Sequence, residues 1–295
     1  MKKTIIMAVA VCLTMTACEK AIEVPDGEAS GVVEEPLKTK KFTFTMKGDF
    51  SDDWKTTRGY LAADGRDMTD VWVLDYMNGQ LVQQVHQGDN TAEDFGKPVM
   101  NLAYGGHHVY FVASRGLTPT LNVGAQSITW ASVRDTYWKD YEVTVVNTSN
   151  GNRAVTLERV VAKLKLTLND EIPAGAATLT CTPGTWYYGL NYRTGEPCGA
   201  SNGQEIGINI PAIYVGTSGQ LAASVFTVSG ADEWTTDVSV AVKDGNGTSL
   251  GSAAIADVPM LRNRSTEYSG NLFSGVGNMV VSINGDWVSP YIGTW

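Results

Sequence analysis

Short runs of alternating apolar and polar residues, separated by turn pairs, are the feature that most constrains the fold of this chain. In residues 42–46, Phe42, Phe44 and Met46 fall on one face of a strand, because successive side chains of a strand point to opposite faces. Short β-branched or aromatic segments of the same kind recur at 71–74, 108–113, 142–146 and 163–168. Pairs that tolerate the positive φ of tight hairpins lie at 78–79, 150–151, 244–247 and 284–285. With 31 glycines and little helical periodicity, the sequence predicts an all-β fold built of β-sandwiches.

The length of the chain predicts more than one such sandwich. Its 295 residues exceed what a single ordinary sandwich needs, so we expect two in tandem after a leader. The predicted division is a signal peptide at 1–17, a flexible spacer at 18–40, an N-terminal sandwich at 41–155 and a C-terminal sandwich at 156–295. The joint falls after the polar stretch 147–152. The spacer is acidic, contains proline and glycine, and lacks an apolar face, as flexible segments do.

The N-terminus has the order of residues of a secretory signal. Two lysines at positions 2 and 3 precede an apolar stretch from Thr4 to Met15, which Thr16, Ala17 and Cys18 follow. That stretch is shorter than the roughly 20 apolar residues of a membrane-spanning helix. Small residues directly before a cysteine resemble the bacterial lipobox, which predicts an outer-membrane lipoprotein acylated at Cys18. The alternative is an ordinary signal peptide with a chance cysteine near its end.

Charge and motifs exclude several classes of function. Without Lys2 and Lys3 the chain has 20 basic and 31 acidic residues, a net charge of −11, so we expect no nucleic-acid partner. His107 and His108 are adjacent in a predicted strand and point to opposite faces, so they cannot share a metal from that strand. The sequence lacks a nucleophile elbow, a P-loop and a dinucleotide-binding glycine pattern. We therefore expect no catalytic residues, no metal and no cofactor, and no enzyme activity.

Two cysteines remain after the leader is removed and Cys18 is acylated. Cys181 and Cys198 could form a disulfide in an oxidising compartment, stabilising the fold by about 3 kcal/mol. They could equally be two separate buried thiols. The sequence leaves both alternatives open.

Three separated stretches resemble the fimbrillin superfamily of Bacteroidales, the subunits of type V pili. The first is the leader 15–20, and the second is the segment 157–164 around Arg159. The third is the segment 261–272, which contains Arg262 and Asn263. An acidic-Trp pair at 286–287 and a terminal Trp295 follow the third segment. The resemblance spans nearly the whole chain. It implies transthyretin-like sandwiches, a surface-exposed fimbrial subunit that supports adhesion, and partners that are other copies, other fimbrial subunits and a host or glycan ligand.

The resemblance also implies that a trypsin-like protease processes the chain. In the family, cleavage follows an arginine in the loop after the first strand, and here Arg58 stands at that place, followed by Gly59. Arg66 is a nearby competitor.

The residues themselves suggest what such a cut would do. Burial of Phe42, Phe44 and Met46 contributes roughly 5 to 9 kcal/mol, so removal of residues 18–58 would open an apolar groove. A strand with the same alternation could enter it, and Met279, Val281 and Ile283 near the C-terminus offer one. The simpler interpretation is that both segments are ordinary strands of stable sandwiches.

Two other functions fit the same features. One is an uncleaved anchor or tip lipoprotein of a fimbria. The other is a carbohydrate-binding surface lipoprotein, in which Trp186, Tyr187, Tyr188 and Tyr192 would stack on sugars, although aromatic residues in alternating strands more often belong to a core.

Overall fold

The described part of the chain consists of nineteen β-strands and one short 3-10 helix, Ala212–Tyr214. The computed structural model describes residues 38–48, 68–116, 118–273 and 279–284, with the backbone alone for 47, 48 and 279–284. The strands are β1 Thr39–Gly48, β2 Asp70–Met77, β3 Gln80–Gln87, β4 Val99–Ala103, β5 Gly105–Ser114, β6 Thr120–Asn122, β7 Ser127–Thr129, β8 Thr136–Val145, β9 Asn152–Arg159, β10 Val161–Leu168, β11 Ala176–Pro183, β12 Trp186–Asn191, β13 Glu196–Ser201, β14 Ile206–Asn209, β15 Leu221–Val228, β16 Trp234–Asp244, β17 Ser249–Met260, β18 Ser265–Gly270 and β19 Met279–Asn284. The predicted all-β, sandwich-type fold is confirmed. Within these residues, no helix has the length and apolar character to cross a membrane.

The predicted turn at 78–79 shows how local sequence produced these strands. Asn78 and Gly79 both have positive φ, 51° and 78°, and they join β2 to β3 as an antiparallel hairpin. Asparagine and glycine are the residues that adopt this conformation at little steric cost, and the resulting turn matches the twist of the paired strands. The five predicted strands all fall within observed strands, to within one residue.

The first half of the chain forms one bent, seven-stranded sheet in the order β3-β2-β5-β8-β9-β1-β4. The bend lies between β8 and β9, which pair only through Tyr137 with Arg159 and Trp138 with Glu158. The two parts of the sheet therefore face each other, and the apolar residues of β1, β2, β4, β5 and β9 fill the space between them. At the opposite edges, the backbone N–H of Asn101 on β4 donates to the Gln83 side chain on β3, 3.2 Å away.

The second half of the chain forms two four-stranded sheets with a core between them. Their strand orders are β15-β10-β18-β19 and β14-β11-β16-β17. Alternating residues such as Leu164, Leu166 and Leu168 on β10 point into this core, which also contains Leu179 and Val240 from the facing sheet. The apolar residues that alternate along β10 in the sequence are therefore the residues that are buried.

A fourth sheet connects the two halves. Its order is β13-β12-β7-β6, so β7 of the first half pairs with β12 of the second half. A third apolar cluster, with Tyr110, Ile128, Leu190 and Val228 among its members, lies beside this sheet. The predicted boundary at 155/156 falls inside β9, whose Leu157 belongs to the first core. The division into two sandwich domains stays a prediction, and strands from both halves pair in the shared sheet.

Candidate functional site

Strand β1 occupies a slot between two other strands. Residues Thr43 to Gly48 pair in parallel with β9, and residues Thr39 to Thr43 pair antiparallel with β4. The segment just before β4 continues this pairing. The N–H of Phe44 donates to the Pro98 carbonyl at 3.0 Å, and the N–H of Met46 donates to the Gly96 carbonyl at 3.1 Å. Because β1 is hydrogen-bonded on both sides, its removal would leave unpaired backbone groups on both neighbours.

The apolar face of β1 is completely enclosed. Phe42 and Phe44 are fully buried and Met46 is 2% exposed. The Phe44 ring lies 5.1 Å from the Phe111 ring and 6.0 Å from the Tyr141 ring, both edge-on, which is the arrangement that aromatic pairs prefer. The slot is thus an apolar groove with three side-chain positions. These positions are filled by every second residue of β1, namely Phe42, Phe44 and Met46.

Gly151, just before β9, allows β1 to approach closely. Its carbonyl accepts a hydrogen bond from the N–H of Thr43 at 2.7 Å. A Cβ atom at position 151 would lie 2.3 Å from the Lys41 carbonyl oxygen, well inside van der Waals contact. Only glycine fits there without moving β1.

We therefore expect Gly151→Ala to destabilise the protein by about 1–3 kcal/mol, the usual effect of forcing extra atoms into a packed site. Urea unfolding followed by fluorescence measures this change. Gly106→Ala on β5 is the matched control, because a Cβ atom at position 106 meets nothing within 4 Å. Equal stability of the two variants would contradict the close approach.

Strand β19, which contains the three predicted donor positions, lies at a sheet edge. It pairs antiparallel with β18 from Gly270 opposite Met279 to Ser265 opposite Asn284, and it is the last of the described strands in its sheet. Since an edge strand has only one ladder, its detachment breaks one set of backbone hydrogen bonds. The structure describes only the backbone of Met279, Val281 and Ile283, so their role as a donor strand stays a prediction.

The predicted lipidation and cleavage positions fall outside the described residues. Cys18 precedes residue 38, and Arg58, Gly59 and Arg66 lie between β1 and β2 in the gap 49–67. Lipidation and cleavage therefore stay predictions.

A buried ion pair near the slot, between Arg159 and Asp135, is joined to the second half of the chain by a hydrogen bond to Asn263. The guanidinium of Arg159, at the end of β9, donates from Nε to Asp135 Oδ1 at 2.7 Å and from Nη2 to Asp135 Oδ2 at 3.0 Å. Its Nη1 donates to Asn263 Oδ1 at 3.1 Å, and its Cζ lies 5.0 Å from the Tyr137 ring centroid. The two stretches around Arg159 and Asn263, which carried the resemblance, are therefore in direct contact.

Electrostatics explain why the Arg159 guanidinium keeps its charge although it is buried. Burial acts to lower the pKa of Arg159, but the attraction and hydrogen bonds of Asp135 outweigh it, so the pKa is raised. Burial, followed by the Asp135 charge, raises the pKa of Tyr137 as well, and its hydroxyl donates to Asp135 Oδ2 at 2.7 Å. Sequence reasoning missed Asp135, because nothing in its local sequence marks it.

The histidines occupy two different environments. The ring of His107 is buried, with Nδ1 2.7 Å from Asp75 Oδ1 and Nε2 2.9 Å from the Ala103 carbonyl. His108 is exposed on the other face, where its Nδ1 lies within 4.8 Å of carboxylate oxygens of Asp140 and Glu142. Those three side chains are of types that bind divalent metals, and His108 Nδ1 lies 3.1 Å from Asp140 Oδ1, within hydrogen-bond distance. The expected absence of a metal stays a prediction.

Trp186, the central residue of the sugar-stacking hypothesis, lies in the core. Its side chain is fully buried and its Nε1 donates to the Phe226 carbonyl at 2.9 Å, so it offers no face to a ligand from solvent. Tyr192 is also fully buried. The structure supports the core alternative for both residues.

Both cysteines beyond the leader are free thiols. Cys181 is buried on β11, and burial raises the pKa of its thiol to about 12. Cys198 is half-buried on β13, in a different sheet, and burial raises its pKa too. Thiols with raised pKa values are predominantly protonated and unreactive at neutral pH.

The class of protein that the fold defines is an all-β, sandwich-type protein. The chain belongs to a family of unknown function, DUF6562, whose model matches residues 122–294. No curated protein matches the sequence.

Several solved structures from Bacteroides and Parabacteroides are similar at low identity. A candidate adhesin from Bacteroides ovatus is 14% identical with a TM-score of 0.49, over 87% of this chain and 97% of that one. A candidate adhesin from Bacteroides thetaiotaomicron is 10% identical with a TM-score of 0.49, over 88% of this chain and 100% of that one. A fimbrial assembly protein from Parabacteroides distasonis is 10% identical with a TM-score of 0.47, over 85% of this chain and 97% of that one.

Proposed function

We propose that the protein is a structural subunit of a cell-surface fimbria that polymerises by strand exchange. The observation that carries the proposal is the position of β1, a buried strand near the N-terminus held in a slot between β9 and β4. The subunit is exported as an outer-membrane lipoprotein acylated at Cys18. It supports adhesion through contacts with other copies and other fimbrial subunits.

The first step is cleavage after Arg58. That bond lies between β1 and β2 in the chain, so the cut leaves β1 attached to the body by non-covalent contacts alone. The lipid then leaves with residues 18–58. The exposed slot is lined by apolar side chains of the first core, among them Met100, Leu102 and Phe111.

The second step is entry of the C-terminal strand of another copy. Met279, Val281 and Ile283 repeat the spacing of Phe42, Phe44 and Met46, so each can fill one of the three vacated side-chain positions. The donor segment and the slot are different surfaces of the same protein. The contact is therefore head-to-tail, and repetition without closure produces a filament.

Cleavage of the purified protein with an arginine-specific protease tests the proposal. We expect a ladder of SDS-resistant oligomers, because each joint would include a fully buried strand. The double variant Arg58→Ala with Arg66→Ala should stay monomeric, because both candidate sites between β1 and β2 are removed, whereas Arg66→Ala alone should still form the ladder. Val281→Asp should be cut but should not polymerise, because a charge in an apolar groove is costly.

Monomers that persist after complete cutting at Arg58 would rule out strand exchange. Mass spectrometry of native surface material separates the stalk role from the anchor role. Loss of residues 18–58 is expected for a polymerised stalk subunit. An acylated Cys18 still joined to the body would instead identify an uncleaved anchor or tip subunit.

A further inference from the structure

The chain is fixed at one point just before it enters β19. Asp170 follows β10, and its Oδ2 accepts hydrogen bonds from the backbone N–H groups of Leu272 at 2.7 Å and Phe273 at 2.5 Å. Next to it, the N–H of Asn169 donates to the Gly270 carbonyl at 2.8 Å. Three hydrogen bonds therefore hold the four residues 270–273 against the end of β10. Two of them end on a carboxylate, and such bonds are stronger than bonds between neutral groups.

Packing fixes the same point independently. Leu272 is 6% exposed and belongs to the second core. On the other side, a Cβ atom at Gly251 of β17 would lie 2.7 Å from the Leu272 carbonyl oxygen and 2.8 Å from Phe273 Cδ1. The backbone can pass this close to β17 only because residue 251 is glycine. Asp170, Gly251, Leu272 and Phe273 together form what we call the clasp.

The attachment of the chain changes abruptly after the clasp. Strand β18 is paired on both sides, in parallel with β10 and antiparallel with β19. Among the described strands, β19 pairs with β18 alone and lies at the edge of the sheet. Separation of β19 would break that ladder and leave the pairing of β18 with β10 and the hydrogen bonds of the clasp in place.

We propose that the clasp is the fixed pivot from which β19 leaves its own subunit to join a second copy of this chain. This inference rests on the proposed function, because it assigns to the donor segment the point at which it begins to move. Residues up to Phe273 stay with the body, and strand β19, Met279–Asn284, transfers. The clasp also keeps the departing strand close to the subunit surface, which limits the conformational freedom that must be lost on joining a partner.

Hydrogen exchange on the uncut monomer tests the pivot directly. In the wild-type protein we expect the amides of Leu272 and Phe273 to exchange at least about tenfold more slowly than those of β19. Asp170→Ala should remove that difference, whereas Asp170→Asn should restore part of it, since its amide oxygen still accepts hydrogen bonds. Asp232→Ala, at an exposed position, is the matched control and should leave the pattern unchanged. Equal exchange of both segments in the wild-type protein would overturn the pivot.

Gly251→Ala provides a second test that leaves the carboxylate in place. Its added methyl group should disturb the clasp by steric contact and give the same exchange pattern as Asp170→Ala. Thermal unfolding of each variant verifies that the fold is retained.

Polymerisation after cleavage separates the two proposals. If the wild-type protein forms no ladder, the proposed function fails, whatever the exchange rates are. If it does, we expect the ladder of Asp170→Ala to form more slowly, by about tenfold, because its donor segment is less preorganised. A ladder that forms at the wild-type rate despite a loosened clasp would overturn the pivot and leave strand exchange standing.

Discussion

Replacement of Arg159 by methionine is expected to lower the free energy of unfolding by about 3–5 kcal/mol, as the loss of one partner of a buried ion pair does. The substitution preserves most of the side-chain volume but leaves the Asp135 carboxylate buried without the guanidinium that binds both of its oxygens. The Tyr137 hydroxyl would be the remaining hydrogen-bond donor to Asp135 in this network. Chemical denaturation of the uncut protein measures the loss.

Two variants show whether the loss comes from an uncompensated charge. Lys139→Met breaks the exposed pair of Lys139 with Glu158, which should contribute only about 1 kcal/mol or less. The double variant Asp135→Leu with Arg159→Met removes both charges and should recover much of the lost stability. If Arg159→Met were no more destabilising than Lys139→Met, leaving Asp135 without its buried partner would not be costly to stability.

This ion pair also connects the two surfaces that the proposed function uses. Arg159 ends β9, which forms one wall of the β1 slot. Its partner Asn263 lies shortly before β18, on which β19 rests. A variant that breaks the network is therefore expected to weaken the slot and the support of the donor strand together.

Phe44→Ala is expected to destabilise the uncut protein by about 3–5 kcal/mol, the usual effect of removing a buried aromatic ring. The ring is fully buried and lies among Phe42, Phe111 and Tyr141, so its loss leaves a cavity lined by rigid neighbours. Thr45→Ala is the matched control, since Thr45 is exposed on the opposite face of the same strand. Urea unfolding of both variants gives the comparison.

The same pair of variants connects stability to strand exchange. After cleavage at Arg58, β1 should leave faster from Phe44→Ala than from Thr45→Ala, because fewer apolar contacts hold it. Once β1 has gone, both proteins have the same sequence from Gly59 onward and should have identical stability. If Phe44→Ala lowered the free energy of unfolding by less than about 1 kcal/mol, the Phe44 side chain would not be tightly packed in the slot.

Local sequence was sufficient for the strands and for the buried face of β1. The alternation of Phe42, Phe44 and Met46 predicted their common face, and Asn78-Gly79 predicted the β2–β3 hairpin. Both patterns depend on backbone geometry over a few residues, which is why they can be read without any knowledge of distant contacts.

The contacts around the candidate site could not be predicted from local sequence patterns. Asp135 and Arg159 are 24 residues apart and Arg159 and Asn263 are 104 apart, and no periodicity connects such positions. The same holds for Asp170 and Leu272, 102 residues apart. Trp186 was predicted as part of a ligand platform because of the aromatic residues beside it in the sequence. The packing of β12 against β15 instead places its side chain in the core.

The sequence by itself determined that this chain forms β-strands, which residues of each strand share a face, and where the tight turn after β2 falls. These depend on side-chain alternation and on the φ preferences of asparagine and glycine, which act locally. Only the tertiary structure decided that β1 lies between β9 and β4, that β19 lies at an edge, and that Asp170 fixes the chain before it. Strand order and long-range hydrogen bonds depend on which surfaces pack together, and a core brings residues together regardless of their separation along the chain.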